Sequence, residues 1–151
     1  MPVLIEMKNN SYKDLLVWQK AMEITKEVYL LVKVLPKEET FALSDQIRRA
    51  AVSIPSNIAE GQERNSHSEF VRFLYIAQGS RAELETQLMI GNTIGYFDNN
   101  NVESLLNNLY ELGKMINSLI NSIQTNNNKN RTLGQSQTCR ATDNWQLPTV
   151  H

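Results

Sequence analysis

Histidine, cysteine and paired carboxylates are the side chains that could do chemistry in this sequence, and they are few and poorly placed. The chain of 151 residues has two histidines and one cysteine. His151 is the last residue given, and His67 stands four positions after Glu63 across a predicted helix boundary. Neither completes the Glu-x-x-His pairs with which helical bundles hold metal ions. No metal site and no cofactor is expected. Nucleophilic catalysis needs a base beside the nucleophile, yet His67 falls in a solvent-rich cap and Cys139 in a polar tail where nothing activates its thiol. Glu83 and Glu85 are two apart, so on a helix they point to different faces. Gly79, Gly91 and Gly95 lie at helical spacing inside a helix and form no phosphate-cradling loop. The chain reads as a non-enzyme.

Two polar arrangements remain. In QIRRAAVSIPSNIAEG, Gln46 to Gly61, the residues Gln46, Arg49, Ser53, Asn57 and Glu60 recur every three or four positions beside an apolar line. Such a line is either a solvated flank or a hydrogen-bonded seam between helices or subunits, and Gln46 and Asn57 fall near the core edge. Arg81 falls near the centre of another helix's apolar stripe, where an unpaired guanidinium would be strongly destabilising. Glu85, one turn on, is its expected partner. For nucleic-acid binding the candidates are Arg48, Arg49, Arg64, Arg72 and Arg81, with Lys13 and Lys20 on one face of the first helix. Phosphate recognition needs several such charges on one continuous surface. Glu60, Glu63, Glu69 and Glu83 are interleaved with the arginines, so one chain offers either a weak patch or dispersed surface charge. A ring of identical subunits would repeat every positive spot around one axis and strengthen the patch.

The elements that must position these residues are helical. From Tyr12 to Leu35, Leu15, Trp18, Met22, Thr25, Tyr29 and Val32 alternate at spacings of three and four, one apolar stripe ended by Pro36. Val17, Ile24 and Leu31 form a second, weaker line, which is either a subunit contact or scattered exposed apolar residues. A second segment, about Thr40 to Arg64, buries Leu43, Ile47, Ala50, Ile54 and Ile58. The period runs through Pro55, so the helix bends there rather than stopping, with Ser53, Ser56 and Asn57 placed to satisfy the loosened turn. Ser66-His67-Ser68-Glu69 has the capping-box pattern and starts a third helix. Its stripe is Phe73, Leu74, Ala77, Leu84, Leu88 and Gly91, ending near Gly95. Asn100 with Glu103 suggests a cap for the fourth helix, whose line is Val102, Leu105, Leu106, Leu109, Leu112, Ile116, Leu119, Ile120 and Ile123. Four long helices with short connections predict an all-α, antiparallel up-and-down four-helix bundle over residues 12–124. Residues 1–11 are a short extension. Residues 125–151 are polar, asparagine-rich and without apolar period, and read as a disordered tail. Within that tail Trp145 and Leu147 are either frayed chain or a short docking motif.

The totals agree with one soluble domain: 41% hydrophobic and 21% charged residues, which leaves room for a substantial core. A formal net charge of −1 announces no nucleic-acid or membrane field. A single cysteine suits a reducing compartment. With no secretory leader and no bilayer-spanning apolar run in sight, a cytoplasmic protein is expected.

The segments LLVWQKAMEITKEVYLL, QIRRAAVSIPSNIAEGQERNS, EFVRFLYIAQGSRAELETQL and IGYF, in that order, closely resemble the bacterial four-helix bundle proteins found as open reading frames in intervening sequences of 23S ribosomal RNA genes. The likeness covers roughly Tyr12 to Gln124. It implies an antiparallel bundle assembling as a homopentameric ring. A related branch supplies the accessory variability determinant of diversity-generating retroelements, which binds the element's reverse transcriptase and associates with its template RNA. On that branch's pattern the chain would be a non-catalytic adaptor, with Arg48, Arg49, Arg64 and Arg72 at the basic ring surface. The alternative is an intervening-sequence bundle working in protein–protein assembly without nucleic acid. The charge balance bears on the choice. Lys129, Arg131 and Arg140 against Asp143 leave the bundle at −1 − 2 = −3, where the retroelement branch carries a positive excess.

Overall fold

The computed structural model describes residues 11–140, with side chains as far as residue 134. A 3-10 turn, Tyr12–Asp14, leads into α1 (Leu16–Val32), and a second, Lys37–Glu39, precedes α2 (Leu43–Glu63). Two longer helices follow, α3 (His67–Ile94) and α4 (Asn99–Arg140). No strand occurs among the described residues, and four helices sharing one core are consistent with a four-helix bundle. α2 packs on α1 and α3, while α4 packs on α3 and α1. Among the described residues no helix is long and apolar enough to cross a membrane.

The buried line of α1 is not the expected one. Val17, Ala21, Ile24, Val28 and Val32 enter the core, whereas Met22 and Tyr29 are 44% and 43% exposed and Trp18 is half-buried. The reason is shape. Small and β-branched residues let α1 approach its neighbours closely, while a large amphipathic ring is satisfied at the border with water. Val17 and Ile24, read from the sequence as possible subunit contacts, are core residues.

α2 crosses Pro55 as one helix. Pro55 has no N–H to give the Ala51 carbonyl, and an interior proline costs about 3 kcal/mol unless the freed groups find partners. The partner comes from α1. Thr25 Oγ1 stands 2.8 Å from the Ala21 carbonyl oxygen and 3.2 Å from that of Ala51, so its hydroxyl proton is shared between them. Asn57 donates to the Ser53 carbonyl at 2.7 Å and to Ser53 Oγ at 2.9 Å, and Ser56 donates to the Val52 carbonyl at 2.7 Å. The polar side chains around Pro55 therefore support neighbouring turns, and the orphaned acceptor is served by a residue 26 positions away in sequence.

The ends of α3 follow the sequence closely. Ser66 Oγ accepts from the Glu69 amide at 3.3 Å, while the Glu69 carboxylate turns to Arg72 instead of closing the box. Gly95 terminates the helix at φ 91°, a left-handed conformation that glycine adopts freely. The Gly95 amide bonds the Asn92 carbonyl and the Tyr96 amide the Gly91 carbonyl, both at 3.0 Å, which is the Schellman closure. At the start of α4 the cap is Asp98 rather than Asn100: its carboxylate accepts from the Asn100 amide at 2.8 Å.

α4 corrects the reading of the tail as far as residue 140. It continues as a helix to Arg140, well past Gln124. Loss of the apolar period marks where burial stops, with Ile120 the last buried and Ile123 a half-buried residue, but not where the hydrogen-bond ladder stops. No proline interrupts residues 99–140. The hydroxyls of Thr125 and Thr132 bond back to Asn121 and Asn128 at 2.8 and 3.0 Å, inside the ladder. Trp145, Leu147 and His151, the Cys139 side chain and residues 1–10 lie outside the described parts.

Candidate interaction surfaces

The arginines nominated for binding do not form one patch. Arg49 pairs with Asp45 at 2.9 Å, Arg64 with Glu60 at 2.9 Å and Arg72 with Glu69 at 3.0 Å, each within one turn of its own helix. Arg64 and Arg72 do meet: both guanidinia lie over the Phe73 ring, at 5.1 and 4.7 Å from its centroid. That cluster, at the turn from α2 to α3, holds two cations against two carboxylates. The Arg72 hydrogen bond holds the Glu69 carboxyl below its ordinary value of 4.5, and the charges of Arg72 and Arg64 act in the same direction. Arg48 and Arg49 lie near the other end of α2, about 22 Å away at 1.5 Å per residue, beyond the reach of charge in physiological salt. The lysines are separate again. Lys13 sits in the first 3-10 turn, before α1, 5.9 Å from the Tyr12 ring centre. Lys20 reaches across to Asn108 of α4 at 3.4 Å.

Arg48 is the exception. It donates to the Thr40 carbonyl at 3.4 Å and has no ion pair among the described residues. It stands with Tyr29 and Val52 on the wall of a hollow between α1 and α2.

The polar line on α2 divides. Ser53 Oγ lies 2.8 Å from Ser80 Oγ of α3, and Asn57 joins through Ser53, so this part is a hydrogen-bonded seam between two helices of one chain. Gln46 is exposed and belongs to the solvated flank.

Arg81 is paired as expected. Its guanidinium reaches Glu85 at 2.5 Å and Gln78 Oε1 at 2.7 Å, both partners on its own helix. What the sequence did not suggest is the α4 side of this cluster. Gln78 donates to the Gly113 carbonyl at 2.9 Å and to Asn117 Oδ1 at 2.8 Å. A Cβ at Gly113 would stand 2.8 Å from Arg81 Cζ, so the guanidinium lies directly on the bare backbone of α4. Glycine at 113 and arginine at 81 are parts of one packing solution, and only the register between α3 and α4 reveals it.

Gln87 of α3 is buried, 6% exposed, and donates to Glu83 at 3.2 Å, while its Oε1 has no hydrogen-bond partner among the described residues. Turning the amide over would set that oxygen against the carboxylate, so the observed orientation is fixed. Among the described residues no three histidine, cysteine or acidic side chains gather as metal ligands, and His67 and Glu63 are both exposed.

Among the described residues four helices share one core, and sequence comparison assigns the class of this fold. The family model described as 23S rRNA-intervening sequence protein matches residues 13–118, and the chain belongs to that family. Among solved structures, it is similar to a protein of unknown function from the S23 ribosomal protein family of Bacteroides thetaiotaomicron VPI-5482. The two are 31% identical with a TM-score of 0.64, over 69% of this chain and 97% of that one. No curated protein sequence matches the chain.

Proposed function

We propose that the protein is a non-catalytic assembly unit: an antiparallel up-and-down bundle whose open apolar strips join copies into a homopentameric ring, acting through protein–protein contact. The observation that carries this reading is the exposed apolar surface on α1, α2 and α3, where Met22, Tyr29, Val52, Ile76, Ile90 and Ile94 are each 39–57% exposed. Contiguous surface of that kind marks interaction sites. Contacts between α1 and α2 run in opposite sequence order, Thr25 beside Ala51 and Trp18 beside Ala59, which supports the antiparallel connection. Native mass spectrometry tests the ring. A mass of five chains is the expected result, and a monomer at micromolar concentration refutes the reading.

A second reading, an adaptor binding a reverse transcriptase and the template RNA of a diversity-generating retroelement, is favoured by Arg48, which has no ion pair among the described residues. Against it stand the local pairs at Arg49, Arg64 and Arg72. RNA retention that falls steeply with salt and disappears when Arg48 and Arg49 are reversed supports the adaptor. Intact oligomers with no RNA retention at low salt leave assembly alone.

A further inference from the structure

Two of the apolar surfaces that the fold leaves open differ in shape and carry opposite unpaired charges. One is a trough between α1 and α2. A hollow of about 350 Å³ is lined by Trp18, Met22 and Val52, and Val52 continues it into a second of about 360 Å³ beside Tyr29 and Arg48. The other is a strip along the outer side of α3. Ile76, Glu83, Ile90 and Ile94 are spaced seven, seven and four residues apart, so they fall along one line of the helix. Ile76, Ile90 and Ile94 are 39%, 46% and 57% exposed. Nothing stands within 4 Å of where a Cβ would lie at Gly79, so the middle of the helix is open to another chain.

The charges left over on these surfaces are complementary. On α3, Glu69 and Glu85 each have an arginine, and Glu83 has no cationic partner among the described residues. The Gln87 amide holds one oxygen of Glu83, leaving the rest of the carboxylate to a donor from outside. In the trough, Arg48 is the cation without an ion pair. An unpaired charge within an apolar surface opposes burial unless the incoming surface supplies its counterpart. These two surfaces supply it to each other.

We infer that the α3 strip of one copy seats in the α1–α2 trough of the next, with Arg48 of one chain meeting Glu83 of the other. The inference rests on the assembly reading and specifies its contact. Because the two surfaces differ, the contact is head-to-tail, and every copy carries one of each.

Two single-residue blocks test this. Met22→Glu spoils the trough and Ile90→Glu spoils the strip; both positions are about half exposed, and circular dichroism verifies that each variant keeps its helices. By sedimentation velocity each variant alone is monomeric where the wild type is assembled. Mixed in equal amounts they form a two-chain species and nothing larger, since one sound trough and one sound strip remain. Arg48→Glu and Glu83→Arg each weaken assembly about tenfold or more, and the double reversal restores it. A monomeric wild type removes the assembly reading itself. An assembled wild type with assembled variants, a mixture that stays monomeric, or a double reversal without recovery overturns this contact and leaves assembly standing.

Discussion

Removing the Thr25 hydroxyl should destabilise the protein because Pro55 is present, and for that reason only. Thr25→Val keeps the side-chain outline and deletes the donor that stands 3.2 Å from the Ala51 carbonyl. Ala21, the other acceptor, belongs to α1 and keeps its place in the helical ladder. Ala51 is fully buried, and leaving a buried carbonyl without a donor costs about 1–3 kcal/mol. The lower end applies, since the proton is shared, so about 1 kcal/mol is expected, or about 2–4 °C in Tm for a chain of this size. In a Pro55→Ala background residue 55 regains an N–H aimed at Ala51, and Thr25→Val should then cost close to nothing. The four proteins are compared by urea unfolding followed by circular dichroism, at one fixed chain concentration because assembly shifts apparent stability. A coupling of about 1 kcal/mol is expected. An equal loss in both backgrounds would show that the hydroxyl does not compensate for the proline.

Gly113→Ala should cost about 1–3 kcal/mol, since the new methyl meets the Arg81 guanidinium at 2.8 Å; urea unfolding should show most of that loss recovered by Arg81→Ala in the same chain. The Glu69 carboxyl, depressed chiefly by its hydrogen bond from Arg72, should titrate below 4.5 by NMR and move up in Arg72→Ala. A depressed carboxyl contributes stability that is present above the unfolded value and lost as pH falls through the folded one, so this contribution disappears on the acid side of 4.5. The Tyr96 phenol, raised above 10.0 by its hydrogen bond to Glu39, should ionise at lower pH in Glu39→Gln, read by ultraviolet absorbance. Its contribution has the opposite sense, being present below the unfolded value and lost as pH rises through the folded one.

The helices were legible because burial repeats with the helical period, and the ends of α3 because Ser66 and Gly95 carry their caps in their own chemistry. The pairing of Arg81 with Glu85 was legible for the same reason, both lying one turn apart on one helix. Which apolar line of α1 faces inward was not. Periodicity weighs Trp18 and Tyr29 by size, whereas the core selects side chains by how closely they let backbones approach. The service that Thr25 does for Ala51, and the seating of Arg81 on Gly113, depend on the register between helices, which no local pattern encodes. The arginines failed as a group for a related reason: closeness in sequence between Arg48 and Arg64 becomes distance once the segment is a rod.

The overhang of α4 has a practical consequence. From Ile120, the last residue sunk in the core, to Arg140 the helix advances about 30 Å. A fluorophore attached near its far end would therefore stand about 30 Å beyond the last core residue. Energy transfer between labels placed there would report assembly from a position remote in sequence from Met22, Arg48, Glu83 and Ile90.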